Sequence, residues 1–452
     1  MTIDADLIVV GFGKGGKTLA ATLGKQGKRV VMIERSAAMY GGTCINIGCV
    51  PTKSMVYQAE EVSVHPPEPA VYTAAVRATA DLTTGMRGEN FAMLDTIPSV
   101  DVLTGAASFV DPHTVAVDTA NGTVTVTGRT IVIGTGSEPT WPDLPGLRDN
   151  PRAVTSTDLL STEDLPARLV VLGGGYVGLE FAAMYAAYGA EVTVLERHDA
   201  VLSREDDDIA SCATELLGQA GVRVVTSAQV TAVDGGTVHY EVGGAPTTAD
   251  ADLILVALGR HPVTADLGLA NAGVVIRPDG SIEVDEHLRT NVPHVFAVGD
   301  VNGGPQFTYV SLDDYRIVAD QLTGSGSRST ADRRAVPFSL FMTPPLSRVG
   351  MTEREARAAG HRVKVAALPV AKMATVPRAR IVHQARGMMK AVVDADTDEI
   401  LGAALLSYDS HEVINTVALA MRHGITASTL RDEIYTHPSM TEAFNQLLGA
   451  LA

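Results

Sequence analysis

No apolar run in this sequence approaches the roughly 18 to 20 residues that span a bilayer. Its N-terminus carries Asp4 and Asp6 and then a short β-like stretch, Leu7 to Val10. A secretory signal has a basic start and a longer apolar core, so none is expected here. Basic residues are outnumbered: Lys and Arg total 35 against 52 Asp and Glu, leaving a net charge of −17. Phosphate binding along a nucleic acid needs a clustered cationic field, which this balance argues against. The acidity reads as solubility. Only three cysteines occur in 452 residues, too few to staple a secreted fold of this size. The expected compartment is therefore the reducing cytosol, where a close cysteine pair is more often catalytic than structural.

What the chain does have is glycine, in a repeated pattern. Asp6 to Gly16 reads DLIVVGFGKGG, followed by an Ala/Leu-rich helical stretch and then Arg29 to Glu34, RVVMIE. Arg168 to Gly178 reads RLVVLGGGYVG, followed by a helix and then Glu191 to Glu196, EVTVLE. The first glycine and the closing acid lie 23 positions apart in both copies, Gly11 to Glu34 and Gly173 to Glu196. Each copy is a strand, a glycine turn, a helix and a second strand, the βαβ dinucleotide fingerprint. Gly11, Gly13 and Gly16 in the first copy, and Gly173, Gly175 and Gly178 in the second, let the backbone approach a pyrophosphate at the helix N-terminus. Glu34 and Glu196 are placed to accept hydrogen bonds from a ribose hydroxyl.

Alternating stretches punctuated by turn signals follow each fingerprint and predict β-meanders over Val100 to Val126 and Val222 to Val242. Each ends in a buried-looking strand and a glycine turn, Ile131 to Gly136 and Leu253 to Arg260. The predicted organisation is a nucleotide-binding domain over 1–146 and 261–334, interrupted by a second one over 147–260. Leu144-Pro145-Gly146 and Gly259-Arg260-His261-Pro262 mark the crossings. Gly324 to Ser329 reads as a linker. Beyond it, 335–452 reads as an α+β domain, with strands over Val363 to Val370 and Gly387 to Val393 and helices over Glu412 to Arg422 and Thr441 to Leu451.

Cys44 and Cys49 sit in Gly41 to Lys53, GGTCINIGCVPTK. Five positions along a regular helix would separate their Cα atoms by about 7.5 Å along the axis alone, whereas a disulfide needs roughly 4.4 to 6.8 Å. The backbone is therefore expected to leave helical geometry between them, with Gly48 as the point of give. A nearby helix N-terminus would lower the thiol pKa. Two buried free cysteines are the bland alternative, but the pair follows closely on the first fingerprint, and redox function is the reading drawn.

That string resembles the active-site signature of the class I pyridine nucleotide–disulfide oxidoreductases, and the resemblance runs the whole length of the chain. It implies an α/β fold of two Rossmann-like (βαβ plus β-meander) nucleotide-binding domains and a C-terminal dimerisation domain, with FAD on the first fingerprint and NADH or NADPH on the second. Gly42, Thr43, Thr135 and Gly136, and Tyr176, Arg197 and Gly259, join the fingerprint residues as implied cofactor contacts. Thr290 to Asp300, TNVPHVFAVGD, is similar to the second flavin motif and makes Asp300 the ligand of the ribityl chain. Lys53 and Glu180 match the ion pair beside the flavin N5. Cys49 becomes the sulfur in charge-transfer contact with the flavin and Cys44 the interchange thiol. Thr436 to Glu442, THPSMTE, resembles the His–Glu pair that reaches across a twofold axis into the partner's active site. That implies a homodimer in which His437 handles the proton and Glu442 fixes its tautomer.

Within the family, GFGKGGKTLA, AMYGGTCINIGC, FMTPPLSRVGMTE and THPSMTE are similar to flavoenzymes of reactive chlorine resistance described as Cu(II) reductases. A mercuric reductase would carry vicinal cysteines near its C-terminus. A dihydrolipoyl dehydrogenase usually has a histidine where Tyr435 stands, and a glutathione reductase has two lysines where Thr52-Lys53 stand. The expected acceptor is Cu(II), met transiently by Cys44 and Cys49, with no resting metal site. An organic disulfide, as for a dihydrolipoyl dehydrogenase, or Hg(II), as for a mercuric reductase, is the alternative substrate, and a flavin-bound redox sensor the non-enzymatic alternative. Glu196 disfavours a 2′-phosphate and so favours NADH, while Arg197, His198 and Arg204 keep NADPH open. Ser311 reads as an N-cap with Asp313 and Asp314 in the first turn, and Cys212 as an inert core thiol.

Overall fold

The structure, a computed structural model, describes residues 2–62, 69–374 and 376–452. The chain divides into two compact units: 1–55, 74–140 and 259–332 form the first, and 56–73, 141–258 and 333–452 the second. Among the described residues no helix is long and apolar enough to cross a membrane.

The first unit is built on parallel strands. Thr2–Val10 pairs with Val30–Glu34 on one side and with Gly122–Ile133 on the other. Val30–Glu34 pairs outward with Val100–Thr104, and Val295–Ala297 adds to Gly122–Ile133. Strands buried on both faces need apolar residues at every position, and alternate side chains enter opposite cores. Leu7, Val9, Val30 and Met32 pack with Leu19, Ala20 and Leu23 of helix Lys14–Lys25 and with Ile317 and Val318 of helix Thr308–Thr323. Ile8, Val10, Val31 and Ile33 enter the other core, beneath Phe109, Val115 and Val117 of an antiparallel ribbon.

That ribbon is shorter than the alternation implies. The meander comprises Ala106–Asp111, Thr114–Thr119 and Gly122–Ile133, whereas Val100–Thr104 is a parallel edge strand. Gly105 separates the two, where a Cβ would stand 2.5 Å from Asp118 O. The second unit repeats the correction: Val222–Val225 pairs in parallel with Glu191–Leu195, and the meander begins at Ala228. Period-two alternation reports a two-faced strand and says nothing about the direction of its partner.

The second unit holds a parallel sheet in the order Val222–Val225, Glu191–Leu195, Arg168–Leu172, Leu253–Val256, Ala153–Val154. Its C-terminal part is an antiparallel sheet in the order Phe338–Leu340, Leu346–Gly350, Ile400–Leu406, Met388–Asp394, Val363–Pro369. One face of that sheet packs under helices Ser410–Arg422 and Ala443–Gly449 through Val413, Ile414, Val417, Phe444 and Leu447. The stretch read as a linker is tied back on its own helix, because Asp320 accepts from the backbone N–H of Ser325 and of Arg328.

Candidate functional site

In the first fingerprint each glycine has its own reason. Gly11 has a positive φ of 103°, and a Cβ there would stand 2.3 Å from Gly134 O. A Cβ on Gly16 would meet Gly11 O at 2.8 Å, so that glycine seats the helix on the strand. Gly13 is the N-cap of Lys14–Lys25 and supplies no side-chain cap. The positive end of the helix lies at this turn, with the Gly15 N–H held by Ser311 Oγ at 3.1 Å. The Glu34 carboxylate is held by the N–H of Phe12 at 2.9 Å and of Ser36 at 3.3 Å. Burial nonetheless keeps its pKa above the ordinary value.

Gly42 joins this cradle to the cysteines. It is the N-cap of helix Thr43–Asn46, with φ 81°, and a Cβ on it would stand 2.7 Å from Gly13 Cα. Cys44 is therefore launched from a turn pressed on the fingerprint. The helix stops at Ile47, Gly48 follows, and a second helix begins at Cys49 and runs to Val62. The expected break is present, with Gly48 so close to the preceding turn that a Cβ would stand 3.0 Å from Thr43 O. Both cysteines stand as thiols, Cys44 half-buried and Cys49 exposed.

The Cys44 thiol is pushed far up, against the expectation of a lowered pKa. Its hydrogen bond to Cys49 is the largest cause, burial the next and the Cys49 charge the third, with Thr308 and Lys17 pulling the other way. Two adjacent thiols titrate as a pair, and the second proton must leave against the charge made by the first. Thr308 Oγ lies 3.6 Å from Cys49 Sγ.

Around Asp300 a relay forms that the sequence did not disclose. Ser137 Oγ donates to Asp300 Oδ2 at 2.7 Å, and Arg260 Nε donates to Ser137 Oγ at 2.9 Å. Arg260 also donates to the Ser137 carbonyl at 2.5 Å. Gly136 takes a positive φ of 73°, while the Thr135 hydroxyl is spent on Val263 O at 2.6 Å. Helix Thr308–Thr323 begins three residues before the expected cap, so Ser311 lies inside it, where its Oγ accepts from Gly15 N–H. Asp314 is buried and accepts from Gly299 N–H at 2.6 Å and from the Asn302 amide. Asp313 pairs with Arg328 at 3.1 Å. Both acids have structural work.

The second unit repeats the cradle. Gly173 has φ 106°, a Cβ on Gly178 would stand 2.1 Å from Gly173 O, and Gly175 caps helix Tyr176–Ala187 with open space beyond its Cα. Glu196 is buried and accepts from Gly174 N–H at 2.7 Å, from His198 N–H at 2.9 Å and from His198 Nδ1 at 2.5 Å. Burial works to raise its pKa, but the two N–H groups and the imidazole outweigh it and hold the carboxyl below the ordinary range. Arg197 and Arg204 are exposed, and Gly259 has φ 113°. The Tyr176 hydroxyl donates to buried Glu205 at 3.0 Å, and Glu205 faces Arg348 at 3.1 Å. Glu180 is buried and accepts from Phe341 N–H at 2.8 Å; Lys53 belongs to the first unit.

Near the C-terminus His437 Nδ1 donates to Glu442 Oε2 at 2.9 Å, and Ser439 N–H holds the other carboxylate oxygen at 3.0 Å. The ring is exposed and a carboxylate orients it through Nδ1. Cys212 is half-buried on helix Asp207–Gln219 and not in the core as expected; burial leads the causes that push its thiol up.

Residues 5–314 match the family described as pyridine nucleotide-disulphide oxidoreductase, and residues 336–448 match that family's dimerisation domain. The chain is 46% identical to the probable pyridine nucleotide-disulfide oxidoreductase RclA of Escherichia coli over 98% of each chain. It is 33% identical to the mercuric reductase of Staphylococcus aureus, covering 97% of this chain and 81% of that one. A solved structure described as the Cu(II) complex of the HOCl-induced flavoprotein disulfide reductase RclA from Escherichia coli superposes with a TM-score of 0.93. It is 45% identical and 99% of each chain is covered.

Proposed function

Because the chain belongs to the pyridine nucleotide-disulphide oxidoreductase family and is an FAD-dependent oxidoreductase with that family's dimerisation domain, we propose that it is a homodimeric, NADH-dependent Cu(II) reductase working through Cys44 and Cys49. The observation that supports this is the close approach of Gly42 to Gly13, a Cβ on Gly42 standing 2.7 Å from Gly13 Cα, so that the turn leading into Cys44 packs on the glycine turn of the first fingerprint. The residues present fit FAD on the first unit. A helix N-terminus opened by glycine, a glycine whose Cβ would crowd the turn and a half-buried carboxylate at the end of the second strand are what a dinucleotide requires. Gly11, Gly13, Gly16, Glu34, Gly42, Thr43, Thr135, Gly136 and Asp300 would hold it, with Ser137 and Arg260 fixing Asp300.

When bound, FAD supplies the two-electron link between the nicotinamide and the cysteine pair. The chain's own residues do the rest. Gly173, Gly175, Gly178, Glu196 and Gly259 seat the pyridine nucleotide, and Tyr176 and Arg197 border it. Glu196 disfavours a 2′-phosphate, which makes NADH the reading preferred. Cys44 meets the acceptor while Cys49 faces the cofactor, and His437, oriented by Glu442 and contributed by the other protomer, takes up the proton released. Two Cu(II) ions accept one electron each from the dithiol, giving two Cu(I), the Cys44–Cys49 disulfide and two protons; NADH and one of those protons then return the disulfide to the dithiol, giving NAD⁺ and a net release of one proton. Soft thiolates suit the cuprous product. The Cu(II) complex of the Escherichia coli relative supports this acceptor.

The test is turnover of the purified holoprotein with NADH or NADPH and, in turn, Cu(II), Hg(II), lipoamide and oxidised glutathione. The expected result is NADH oxidation driven by Cu(II), with two Cu(I) trapped per NADH. Rapid lipoamide turnover without copper activity overturns the metal-reductase reading. Failure with every acceptor would point instead to a sensor.

A further inference from the structure

Behind the second fingerprint lies a buried ion pair that no cofactor contact uses. Tyr176 is the first residue of helix Tyr176–Ala187, directly after the Gly175 N-cap. Its hydroxyl donates to Glu205 Oε1 at 3.0 Å, and its ring centroid lies 5.4 Å from that of Phe338. The Glu205 side chain is wholly buried and that of Arg348 is 12% exposed, with Nε 3.1 Å from Glu205 Oε2. The Arg348 guanidinium also sits over the Phe338 ring, 4.9 Å from its centroid. Tyr176, Glu205, Arg348 and Phe338 thus close on one another within the second unit.

Stability is a weak reason for this group. Apolar side chains of similar volume hold a core as well as a buried ion pair does, or better. Arg348 has acceptors of its own, donating to Gly350 O at 3.2 Å and to Glu355 Oε2 at 3.4 Å. The segment that presents Glu205 is laid on the glycine turn. Leu202 N–H donates to Gly174 O at 3.3 Å, and Glu205 N–H donates to Leu202 O at 2.8 Å. Arg354 secures the same segment, donating to Ser203 O at 3.0 Å and to Glu205 O at 3.1 Å. What Glu205 adds is a fixed acceptor for one hydroxyl beside the helix N-terminus.

Resting on the reading of this cradle as the pyridine-nucleotide site, we propose that Glu205 is a positioning residue of that site: with Arg348 behind it, it holds the Tyr176 ring against Phe338 in the orientation that the bound nucleotide meets. An untethered tyrosine would have to be ordered each time NADH binds, and the tether removes that cost. Phe338 and Arg348 make the C-terminal sheet part of the support.

The experiment is stopped-flow reduction of the flavin by NADH in the purified holoprotein, which separates an apparent Kd from a limiting rate. Tyr176→Phe cuts the tie at the hydroxyl and is expected to raise Kd by about threefold to tenfold, the scale of ordering one side chain. Glu205→Gln keeps the shape and replaces a charge-assisted bond by a weaker neutral one. Its Kd should rise in the same direction, with the change falling on Kd and not on the limiting rate. In the double variant the glutamine should add nothing, because both changes act through one hydroxyl.

An unchanged Kd in Tyr176→Phe overturns the proposal, and so does a lowered one, which would make the tie a bar to entry. A Glu205→Gln effect that persists undiminished beside Tyr176→Phe also overturns it, since a merely structural carboxylate would behave that way. If Glu205→Gln does not fold, Tyr176→Phe alone decides. ADP-ribose should compete with NADH in the parent protein. No competition there would remove the second fingerprint as the nucleotide site, a failure distinct from an unmoved Kd in a protein that ADP-ribose inhibits.

Discussion

His198 Nδ1 lies 2.5 Å from the buried carboxylate of Glu196, whose second oxygen is held by the N–H of Gly174. The acid closing the second fingerprint is thereby fixed in the anionic form at the strand end where a ribose would lie. An anion there repels a 2′-phosphate. Exchanging Glu196 for serine removes the charge. The expected outcome is a ratio of NADPH to NADH kcat/KM that rises by about tenfold or more, a difference of about 1.4 kcal/mol. Steady-state kinetics with the two nucleotides check it; an unchanged ratio would mean that Arg197 and Arg204 decide the preference.

The glycines of the same turn separate packing from ligand binding. Gly178→Ala drives a methyl group to 2.1 Å of Gly173 O, whereas Gly175→Ala, at a φ of −82°, meets no protein atom within 4 Å. Gly178→Ala should lower the melting temperature, by about 1 to 3 kcal/mol of lost stability. Gly175→Ala should melt with the parent and yet raise KM for NADH by about tenfold, because its methyl group occupies the approach to the helix N-terminus. Thermal melts and nucleotide titrations on both variants give the comparison, and equal melting losses would remove the distinction.

Lys390 sets a different kind of expectation, one of stability. Its buried ammonium meets Asp206 at 3.1 Å, Asp208 at 2.9 Å and Glu353 at 2.9 Å, binding the second nucleotide region to the C-terminal sheet within one unit. Burial alone would depress its pKa, but the bonds to Asp208, Glu353 and Asp206 hold it above the ordinary value. Burial would likewise raise Asp206, and the N–H groups of Glu353 and Arg354 with Lys390 outweigh it and bring it down. Glu353 is lowered first by Lys390. Lys390→Met strands the carboxylates and should cost about 3 to 5 kcal/mol near neutrality. The depressed acids contribute stability above their unfolded values of 3.8 and 4.5 that is lost as pH falls through their folded ones. The raised lysine's share is complete below 10.5 and lost as pH rises through its folded value. Denaturant melts should therefore show the gap between parent and variant widest between those limits. A gap that does not vary with pH would dissociate the loss from charge.

The two cradles were legible in the sequence because each is local: glycine spacing, strand and helix follow one another within a few dozen residues. The break between Cys44 and Cys49 was legible for the same reason, since helix geometry forbids the pairing. The partners of those elements were not. Ser137 meets Asp300 across 163 positions and Cys49 meets Thr308 across 259, and no periodicity carries that information. Ser311 was misplaced because a hydroxyl followed by two acids reads as a cap wherever it stands, while the helix in fact opens at Thr308 with Phe307 before it. Lys17 was passed over inside the fingerprint itself, although it is buried and its Nζ donates to Gly41 O at 3.1 Å. A lysine on a glycine-rich helix reads as solvated until the turn above it is seen. The rise of the Cys44 thiol also required the fold, because only contact with Cys49 makes the two sulfurs titrate together.

The His437–Glu442 pair should separate the two halves of the reaction. Glu442 holds Nδ1 at 2.9 Å and is itself held by Ser439 N–H, so glutamine at that position keeps the shape while removing the charge that favours an imidazolium. Reduction of the flavin by NADH, followed by its visible absorbance, should run at the parent rate in Glu442→Gln. Passage of electrons on to a disulfide acceptor should fall by about 10²-fold or more, the usual scale of a lost proton-transfer partner. Cys44→Ser should abolish both disulfide and Cu(II) reduction while leaving that first half intact. Stopped-flow traces of the two half-reactions give the comparison. Copper reduction that survived in Cys44→Ser would take the dithiol out of the copper route, and a Glu442→Gln variant slowed equally in both halves would place the pair's influence on the fold and not on the proton.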